Sequence, residues 1–452
     1  MTQAHPTAAS PTRGFRQALP IGALALVIGV VVQAVGQLNI NLGIGAIVIF
    51  PMVWGLIVGL IVSVQRFRPL GIDLQKVASA LVGVAVMLLV ARLAFNIGPS
   101  LPVLLEAGPA LLLQEVGHLL GTIALALPLA VLLRMGKATV GATFSLDREP
   151  SFAMVSERYG PDSDQYRGVL AMYVFGTMFG AVYITLLTSL VANWRIFDPL
   201  ALAMGSGVGS GSMMAASAAS IVSAYPEHEE AILAMAAVSN LITTVLGVYV
   251  GIYIALPLAD RFYRLLTRRR VAVAAGPAAT AEPTAEELAA AEENRRFRET
   301  VAEASAPVRL PLWVSLPILV VLGMATAFVA AKQVSGSIVL GYAIMIGLVL
   351  LGELLAFVTR RKISAIVWIT TIGAYISSPW FFAGEALAAQ VASVDFLSIA
   401  TVMLTLAGLS LGKDLPLLRN IGWKIIPVGL VAITASFLLS AVIAEFALGF
   451  WG

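Results

Sequence analysis

Apolar runs of about 20 residues recur along the chain and alternate with short polar segments. A helix of that length spans the hydrocarbon core of a bilayer, so the pattern predicts an all-α polytopic membrane protein with eleven transmembrane helices. The expected spans are 19–36, 43–64, 77–98, 109–135, 168–192, 229–257, 311–331, 336–357, 363–382, 393–412 and 423–450. The lipid bilayer is therefore the expected surroundings of most of this chain.

One segment, 197–225, is too rich in glycine and serine to continue this pattern. Its centre, 204–217, reads MGSGVGSGSMMAAS, with four glycines between positions 205 and 211. A close helix crossing needs only one or two small residues, so packing is the weaker of two interpretations. The other is a re-entrant or broken helix, whose freed backbone groups face a solute inside the membrane. The residues expected to bind substrate there are Gly205, Ser206, Gly207, Gly209, Ser210, Gly211 and Ser212.

The sixth span carries three polar residues on one face, Asn240, Thr243 and Thr244. They are expected to back the Gly/Ser segment.

The positions of the charges favour the re-entrant interpretation. Cytoplasmic loops of membrane proteins are enriched in lysine and arginine. With the N-terminus inside and the Gly/Ser segment entering and leaving by one face, 25 of the 28 lysines and arginines lie on the inner side. A single crossing of that segment would leave 11 inside. The expected location is a bacterial inner membrane, with a cytoplasmic N-terminus.

The chain divides by composition into two membrane halves. We expect a cytoplasmic tail at 1–18, an N-terminal half at 19–257, a linker at 258–310 and a C-terminal half at 311–452. The opening of the first half, LPIGALALVIGVVVQAVG, resembles LPLWVSLPILVVLGMATA at 310–327, which predicts two related halves in parallel or inverted orientation. The linker is expected to hold one exposed helix, beginning after Thr284, and to act as a flexible tether or a regulatory module.

Two ionisable residues within the fourth span, Glu115 and His118, lie one helical turn apart. Ionisable groups inside a span are costly and are candidates for function. They could relay protons as an ion-coupling pair, or act in an intramembrane enzyme. The alternative is that both lie near the outer end of the span, where water reaches them. A metal centre is not predicted, because the other two histidines lie in polar segments and cysteine is absent.

Arg92 is the basic residue placed deepest in a predicted span, with Asn96 one turn further on. It could hold an anionic substrate together with Asn96, pair with Glu115, or extend toward the outer interface. In the second half, Asp395 and Ser398 are expected to complete the ion-coupling site, although serine in a membrane helix often bonds its own backbone. The polar stretch 137–167 is either a cytoplasmic gate or docking surface, or a solvated loop.

The stretch GKATVGATFSLDREPSFAMVSERYG at 136–160, followed by GSGVGSGSMMAAS at 205–217, resembles an uncharacterised bacterial family of multi-pass membrane proteins. More distantly, the Gly/Ser tip is similar to those of glutamate:sodium symporters, 2-hydroxycarboxylate carriers and ketodeoxygluconate permeases. That resemblance implies binding of small carboxylates and coupling cations, and it extends only to positions 205–212. The chain has no second Gly-rich tip of this kind in its C-terminal half.

These observations predict a secondary active transporter rather than an enzyme. The expected substrate is a small anionic metabolite of the carboxylate class, moved by alternating access and coupled to H⁺ or Na⁺, without another cofactor. A homo-oligomer is compatible with the sequence, and nucleic acid is not an expected partner. The alternative functions are a non-transporting membrane scaffold and an intramembrane enzyme that uses Glu115 and His118.

Overall fold

The computed structural model describes residues 11–41, 46–144, 146, 150–160, 163–274, 285–304, 308, 310–415 and 422–451. Helices form nearly all of this part of the chain. Ahead of the linker they are α1 Pro11–Val35, α2 Pro51–Val64, α3 Ile72–Ile97, α4 Leu101–Glu106, α5 Gly108–Gly121, α6 Leu127–Leu132, α7 Ala138–Thr143, α8 Pro150–Tyr159, α9 Asp164–Phe175, α10 Ala181–Trp194, α11 Pro199–Gly205, α12 Gly211–Ala224, α13 Glu229–Val250 and α14 Leu256–Ala274. After these come α15 Ala285–Ala304, α16 Leu312–Ala331, α17 Gly336–Val358, α18 Ala365–Ile376, α19 Gly384–Ala392, α20 Phe396–Ser410 and α21 Ile425–Trp451.

Irregular elements join several of these helices. The strands β1 Leu38–Asn41 and β2 Ala46–Ile49 pair ahead of α2. Wider π-helical turns occupy Thr122–Ala126, Gly176–Gly180 and Gly251–Ala255, where they join α5 to α6, α9 to α10 and α13 to α14. Short 3₁₀ turns lie at Pro226–His228 and Leu411–Asp414.

Eight continuous helical stretches of the described chain are long and apolar enough to cross a membrane. They are Ala18–Val35, Ile72–Ile97, Gly108–Leu132, Asp164–Trp194, Leu312–Ala331, Gly336–Val358, Phe396–Asp414 and Ile425–Gly449. Each coincides with a predicted span, which confirms a multi-pass helical membrane protein. The count of eleven is not confirmed. The span predicted at 43–64 contains only the 14-residue α2, because the chain before Pro51 is extended. The span at 363–382 contains the 12-residue α18, which ends ahead of Ser378-Pro379.

The helices form two compact units. Unit 1 contains α1–α3 and α16–α20, and unit 2 contains α4–α15 and α21. Each unit takes helices from both sides of the linker, so the units do not coincide with the predicted halves 19–257 and 311–452. The physical reason is long-range pairing of helices, α2 with α20 and α5 with α21, which hydropathy along the chain does not reveal. The proposed relationship between the halves stays a prediction.

In unit 1, α2 and α20 pack closely through small residues. A Cβ atom added at Gly59 would lie 2.7 Å from the Thr405 carbonyl oxygen, and one at Gly408 would collide with the Leu56 carbonyl. Gly55 likewise faces Thr405. This is the small-residue packing by which membrane helices associate, because lipid offers no hydrophobic force to hold them together.

The polar stretch 137–167 is packed into unit 2. Its helices α7 and α8 bury Val140, Phe144, Met154 and Val155 in a core with residues of α6, α9 and the start of α14. The interpretation as a solvated loop is therefore wrong for these two helices. Gly141 packs directly on α9, where an added Cβ atom would collide with the Gln165 carbonyl. Because α7 has only six residues and charged residues flank it, its apolar run is too short for hydropathy to reveal.

The predicted linker helix is present as α15, and one of its faces is packed. Asn294 and Phe297 are buried, and the Arg167 guanidinium of α9 lies 2.9 Å from the Glu293 carboxylate and 5.5 Å from the Phe297 ring centre. Asn294 also donates to Asp164 at 2.7 Å. The helix therefore lies against the start of α9 instead of being exposed on all sides. Residues 275–284 of the predicted linker and 1–10 of the predicted tail lie outside the described residues.

Candidate functional site

The Gly/Ser segment forms a helical hairpin, as its composition predicts. α11 begins after Asp198, whose carboxylate accepts from the Leu200 amide at 2.7 Å, and Pro199 occupies the first helical position. α11 ends at Gly205 and α12 begins at Gly211, so the predicted break in the helix is confirmed. Both arms are shorter than a membrane span.

The two ends of the hairpin meet. Arg195 donates to the Ala224 carbonyl at 3.0 Å and its guanidinium lies 5.0 Å from the Tyr225 ring centre. The Tyr225 hydroxyl donates to the Phe197 carbonyl at 3.4 Å. The chain thus leaves the hairpin where it entered, which is the arrangement that the charge distribution predicts.

The tip of the hairpin is held by side chains of α13. Asn240 donates through its amide nitrogen to the carbonyls of Gly207 at 2.9 Å and Gly209 at 3.3 Å. Ser239 donates to the Met204 carbonyl at 2.6 Å. These bonds satisfy carbonyl groups that the break in the helix takes out of the α-helical pattern. Asn240 therefore backs the tip as expected, whereas Thr243 and Thr244 bond carbonyls of their own helix.

Two tip glycines are required by geometry. A Cβ atom at Gly207 would collide with the Ser239 hydroxyl and would lie 2.8 Å from the backbone nitrogen of Asn240. Gly209 has a φ angle of +71°, a left-handed conformation that residues with a Cβ atom adopt at a cost. The close backbone approach and the turn both explain why small residues accumulate here.

Within the tip, only the residues next to the start of α12 are accessible. Residues from Gly205 to Gly209 are buried, whereas Ser210, Gly211 and Ser212 are partly exposed at the N-terminal end of the 14-residue α12. The hydroxyls of Ser210 and Ser212 lie 3.0 Å apart. Deeper in the arm, Ser217 bonds Thr188 at 2.9 Å and fixes α12 against α10. The predicted binding residues thus separate into a buried support, Gly205 to Gly209, and an accessible end, Ser210 to Ser212.

Glu115 and His118 are both buried on α5, and His118 contacts α21. Both are only 6% exposed, whereas Leu112, Leu113 and Val116 on the other face are open to the surroundings. The alternative of two water-exposed residues at the end of a span is therefore wrong within this unit. His118 Nδ1 lies 3.2 Å from the Ser436 hydroxyl, and Ser436 is also 3.2 Å from the His118 carbonyl, to which it can donate.

The same turns of α21 contact the hairpin. A Cβ atom at Gly205 would lie 2.9 Å from the Phe437 carbonyl and 3.2 Å from the Ala441 side chain. On the neighbouring face, Ser440 donates to Gln114, within 2.9 Å of its carbonyl and 2.6 Å of its side-chain oxygen. Residues 436–441 of α21 therefore lie between the ionisable face of α5 and the first arm of the hairpin.

The remaining predicted residues come together in unit 1. The buried Arg92 donates through Nε to the Val394 carbonyl at 2.8 Å and through Nη1 to the Asn96 side-chain oxygen. Asp395, the next residue, caps α20 by accepting from the Ser398 amide at 2.8 Å. Arg92 and Asn96 thus contact the turn that starts α20, and their roles in binding substrate stay predictions.

The model of one family, described as Protein of unknown function (DUF3100), matches residues 30–265, which is just over half of the chain. The chain belongs to the DUF3100 family. The matched region contains Arg92, the α5 pair and the whole hairpin, and it ends ahead of the linker helix. No curated protein and no solved structure matches the chain. The distant similarity to the three carrier families stays a prediction.

Sequence reasoning missed one feature of this DUF3100 protein that lies beside the hairpin. The π-helical turn Gly176–Gly180 is in contact with the tip, because Met213 of α12 lies against Gly180 and Gly209. Such turns are often found at functional sites and displace part of a helix from its regular path. All three π-helical turns belong to unit 2, and each contains or directly follows a glycine. Glycine within an apolar run is the only signal that could have found them.

Among the described residues, no three His, Cys, Asp or Glu side chains lie close enough together to hold a metal ion.

Proposed function

We propose that this DUF3100 protein is a secondary active transporter of a small anionic metabolite, driven by a gradient of H⁺ or Na⁺. The observation that carries the proposal is the helical hairpin 199–224, buried along both arms and accessible at Ser210–Ser212. A protein built only as a membrane scaffold has no need of a broken helix whose carbonyls are held by Asn240 and Ser239.

The chemistry of the tip favours an anion. Residues 205–212 carry hydroxyl groups and backbone amides but no ionisable side chain. The amides at the start of α12 lack partners within that helix, and the peptide dipoles of the helix place partial positive charge there. A carboxylate accepts hydrogen bonds from both kinds of donor. A small carboxylate metabolite is therefore the substrate class that we propose.

Transport by purified protein in proteoliposomes tests the proposal. We expect uptake of at least one member of a panel of small carboxylates, measured with radiolabel or on a solid-supported membrane, when an H⁺ or Na⁺ gradient is imposed. Gly209→Val should abolish uptake because valine is strained at φ +71°. Gly347→Ala is the matched control, since a Cβ atom at Gly347 meets no atom within 4 Å. Well-folded protein that neither accumulates nor exchanges any member of the panel would overturn the proposal.

A further inference from the structure

The buried face of α5 joins two features that seldom occur together, close helix packing and ionisable side chains. Gly117 and Gly121 allow α21 to approach so closely that a Cβ atom at either position would lie 2.5 Å from the α21 backbone. His118 lies between these glycines and contacts Ser436 of α21, and Glu115, one turn earlier on α5, is buried as well. A charge enclosed in this way is costly unless it is neutralised, so uptake or loss of a proton there has a large energetic consequence.

The Ser436 hydroxyl links the state of His118 to α21. Its one hydrogen can be donated to His118 Nδ1 or to the His118 carbonyl, both 3.2 Å away. When Nδ1 carries a proton, it donates to the Ser436 oxygen, and the hydroxyl hydrogen is available for the carbonyl. When Nδ1 is unprotonated, one hydrogen must serve two acceptors. Gain of a proton at Nδ1, by an imidazole that is otherwise protonated at Nε2, therefore adds a hydrogen bond that holds this turn of α21 against α5.

The same turn of α21 also contacts the hairpin. Phe437 and Ala441 contact Gly205, the last residue of the first hairpin arm, one residue along α21 from the pair that contacts α5. α21 is therefore positioned to connect the ionisable face of α5 with the hairpin through residues 436–441, all within unit 2.

We propose that Glu115 and His118 form the proton-binding site that drives transport, and that α21 connects this site to the hairpin. The inference rests on the proposed transport function and specifies its coupling ion. A proton suits these groups better than Na⁺ does, because an alkali cation prefers several oxygen ligands and His118 offers nitrogen. Ser436 acts as a positioning residue for His118.

Other ionisable groups lie on the elements packed against α5. They are Asp198 ahead of α11, Glu229, Glu230 and Tyr249 of α13, Tyr253 of the following π-helical turn, and Glu445 of α21. Glu445 accepts from the Asp198 backbone amide at 2.8 Å, at the base of the hairpin. Glu229 and Glu230 lie in the first turn of α13. Any of these could contribute to a pH dependence, so the test must separate them from the α5 pair.

Two transport measurements on the full-length protein make that separation. Substrate exchange without an ion gradient tests the proposed function, and accumulation driven by a pH gradient tests the coupling. Glu115→Gln and His118→Gln should each lower pH-driven accumulation at least tenfold and flatten the pH profile of exchange. Glu445→Gln should retain the pH profile. Ser436→Ala should shift that profile, whereas Gly449→Ala on the same helix, where an added Cβ atom meets no atom within 4 Å, should leave it in place.

The outcomes distinguish the two proposals. Absence of exchange by the unaltered protein would refute the transport function. Exchange that is present, together with pH-driven accumulation by Glu115→Gln at the unaltered level, would refute the proton site alone, as would accumulation driven only by Na⁺. Infrared difference spectroscopy of the full-length protein gives a readout independent of substrate. A protonated-carboxyl band that appears on acidification should be missing from folded Glu115→Gln, and an unchanged band would overturn the assignment.

Discussion

The two hydrogen bonds from Asn240 to the hairpin tip allow a quantitative test of how the tip is held closed. Asn240→Ala removes both bonds, to Gly207 and Gly209, and leaves α13 otherwise intact. The carbonyls then lose their partners while remaining next to buried atoms. We expect the tip to open more often, because its closed state loses stabilisation that the open, solvated state does not need.

The size of this effect follows from the two contacts. A neutral hydrogen bond contributes about 1 kcal/mol net, so the loss of both destabilises the closed tip by about 2 kcal/mol. At 1.4 kcal/mol for each factor of ten, the open population should rise about 30-fold. The 3.3 Å bond to Gly209 is the longer of the two, so most of the change is expected from the 2.9 Å bond to Gly207.

The natural sequence contains no cysteine, which makes the assay direct. Val208 lies between the two bonded glycines and is 2% exposed, so Val208→Cys gives a single thiol that reacts only when the tip opens. Its rate of modification by a small maleimide should rise about 30-fold when Asn240→Ala is added. Thr244→Ala is the control, since that hydroxyl bonds its own helix. Rates within threefold of each other with and without Asn240→Ala would refute the reasoning.

Three further predictions concern topology and packing. A membrane-impermeant maleimide applied to intact cells should label Lys332→Cys but not Arg361→Cys, and the reverse pattern would show that the predicted orientation is inverted. Phe297→Ala should release α15 from α9 at a cost of about 3 kcal/mol, seen as faster proteolysis of the linker with the membrane helices intact; unchanged proteolysis would contradict the observed packing. Gly59→Ala should destabilise the α2–α20 contact by about 1–3 kcal/mol in thermal unfolding, whereas Gly83→Ala, with open space around it, should not; equal effects would contradict the close crossing.

The membrane class and the hairpin could both be predicted from the sequence, because each depends on local composition. Apolar length located eight spans, and the density of glycine located the break between α11 and α12. The short helices α2 and α18 could not be told from full spans, since hydropathy measures apolar length and not helical length. A proline stands at the start of α2, Pro51, and another follows the end of α18, directly after Ser378. Proline therefore indicates the helix boundaries that hydropathy does not detect.

The assembly of the predicted site residues could not be derived in the same way. Arg92 donates to the Val394 carbonyl, and the His118 ring lies within hydrogen-bond distance of the Ser436 hydroxyl. In each case the second residue is about three hundred residues further along the chain. Such pairings depend on which helices meet, and no local pattern specifies them. The sequence therefore identified ionisable residues within predicted spans and left the depth of Glu115 and His118 open. These two residues belong to unit 2, whereas Arg92 and Asp395 belong to unit 1.

The depth of Glu115 and His118 was nevertheless recoverable from a signal present in the sequence. Lipid-facing and protein-facing residues of a membrane helix are both apolar, so hydropathy does not separate the two faces, but small residues do. Gly117 and Gly121 form the motif GHLLG, which contains His118, and Glu115 lies one turn ahead of His118. A residue inside such a motif, such as His118, is brought close to the neighbouring helix that the glycines admit. The same reasoning applied to GLIVG at 55–59 and GLSLG at 408–412 predicts the α2–α20 contact that the structure contains.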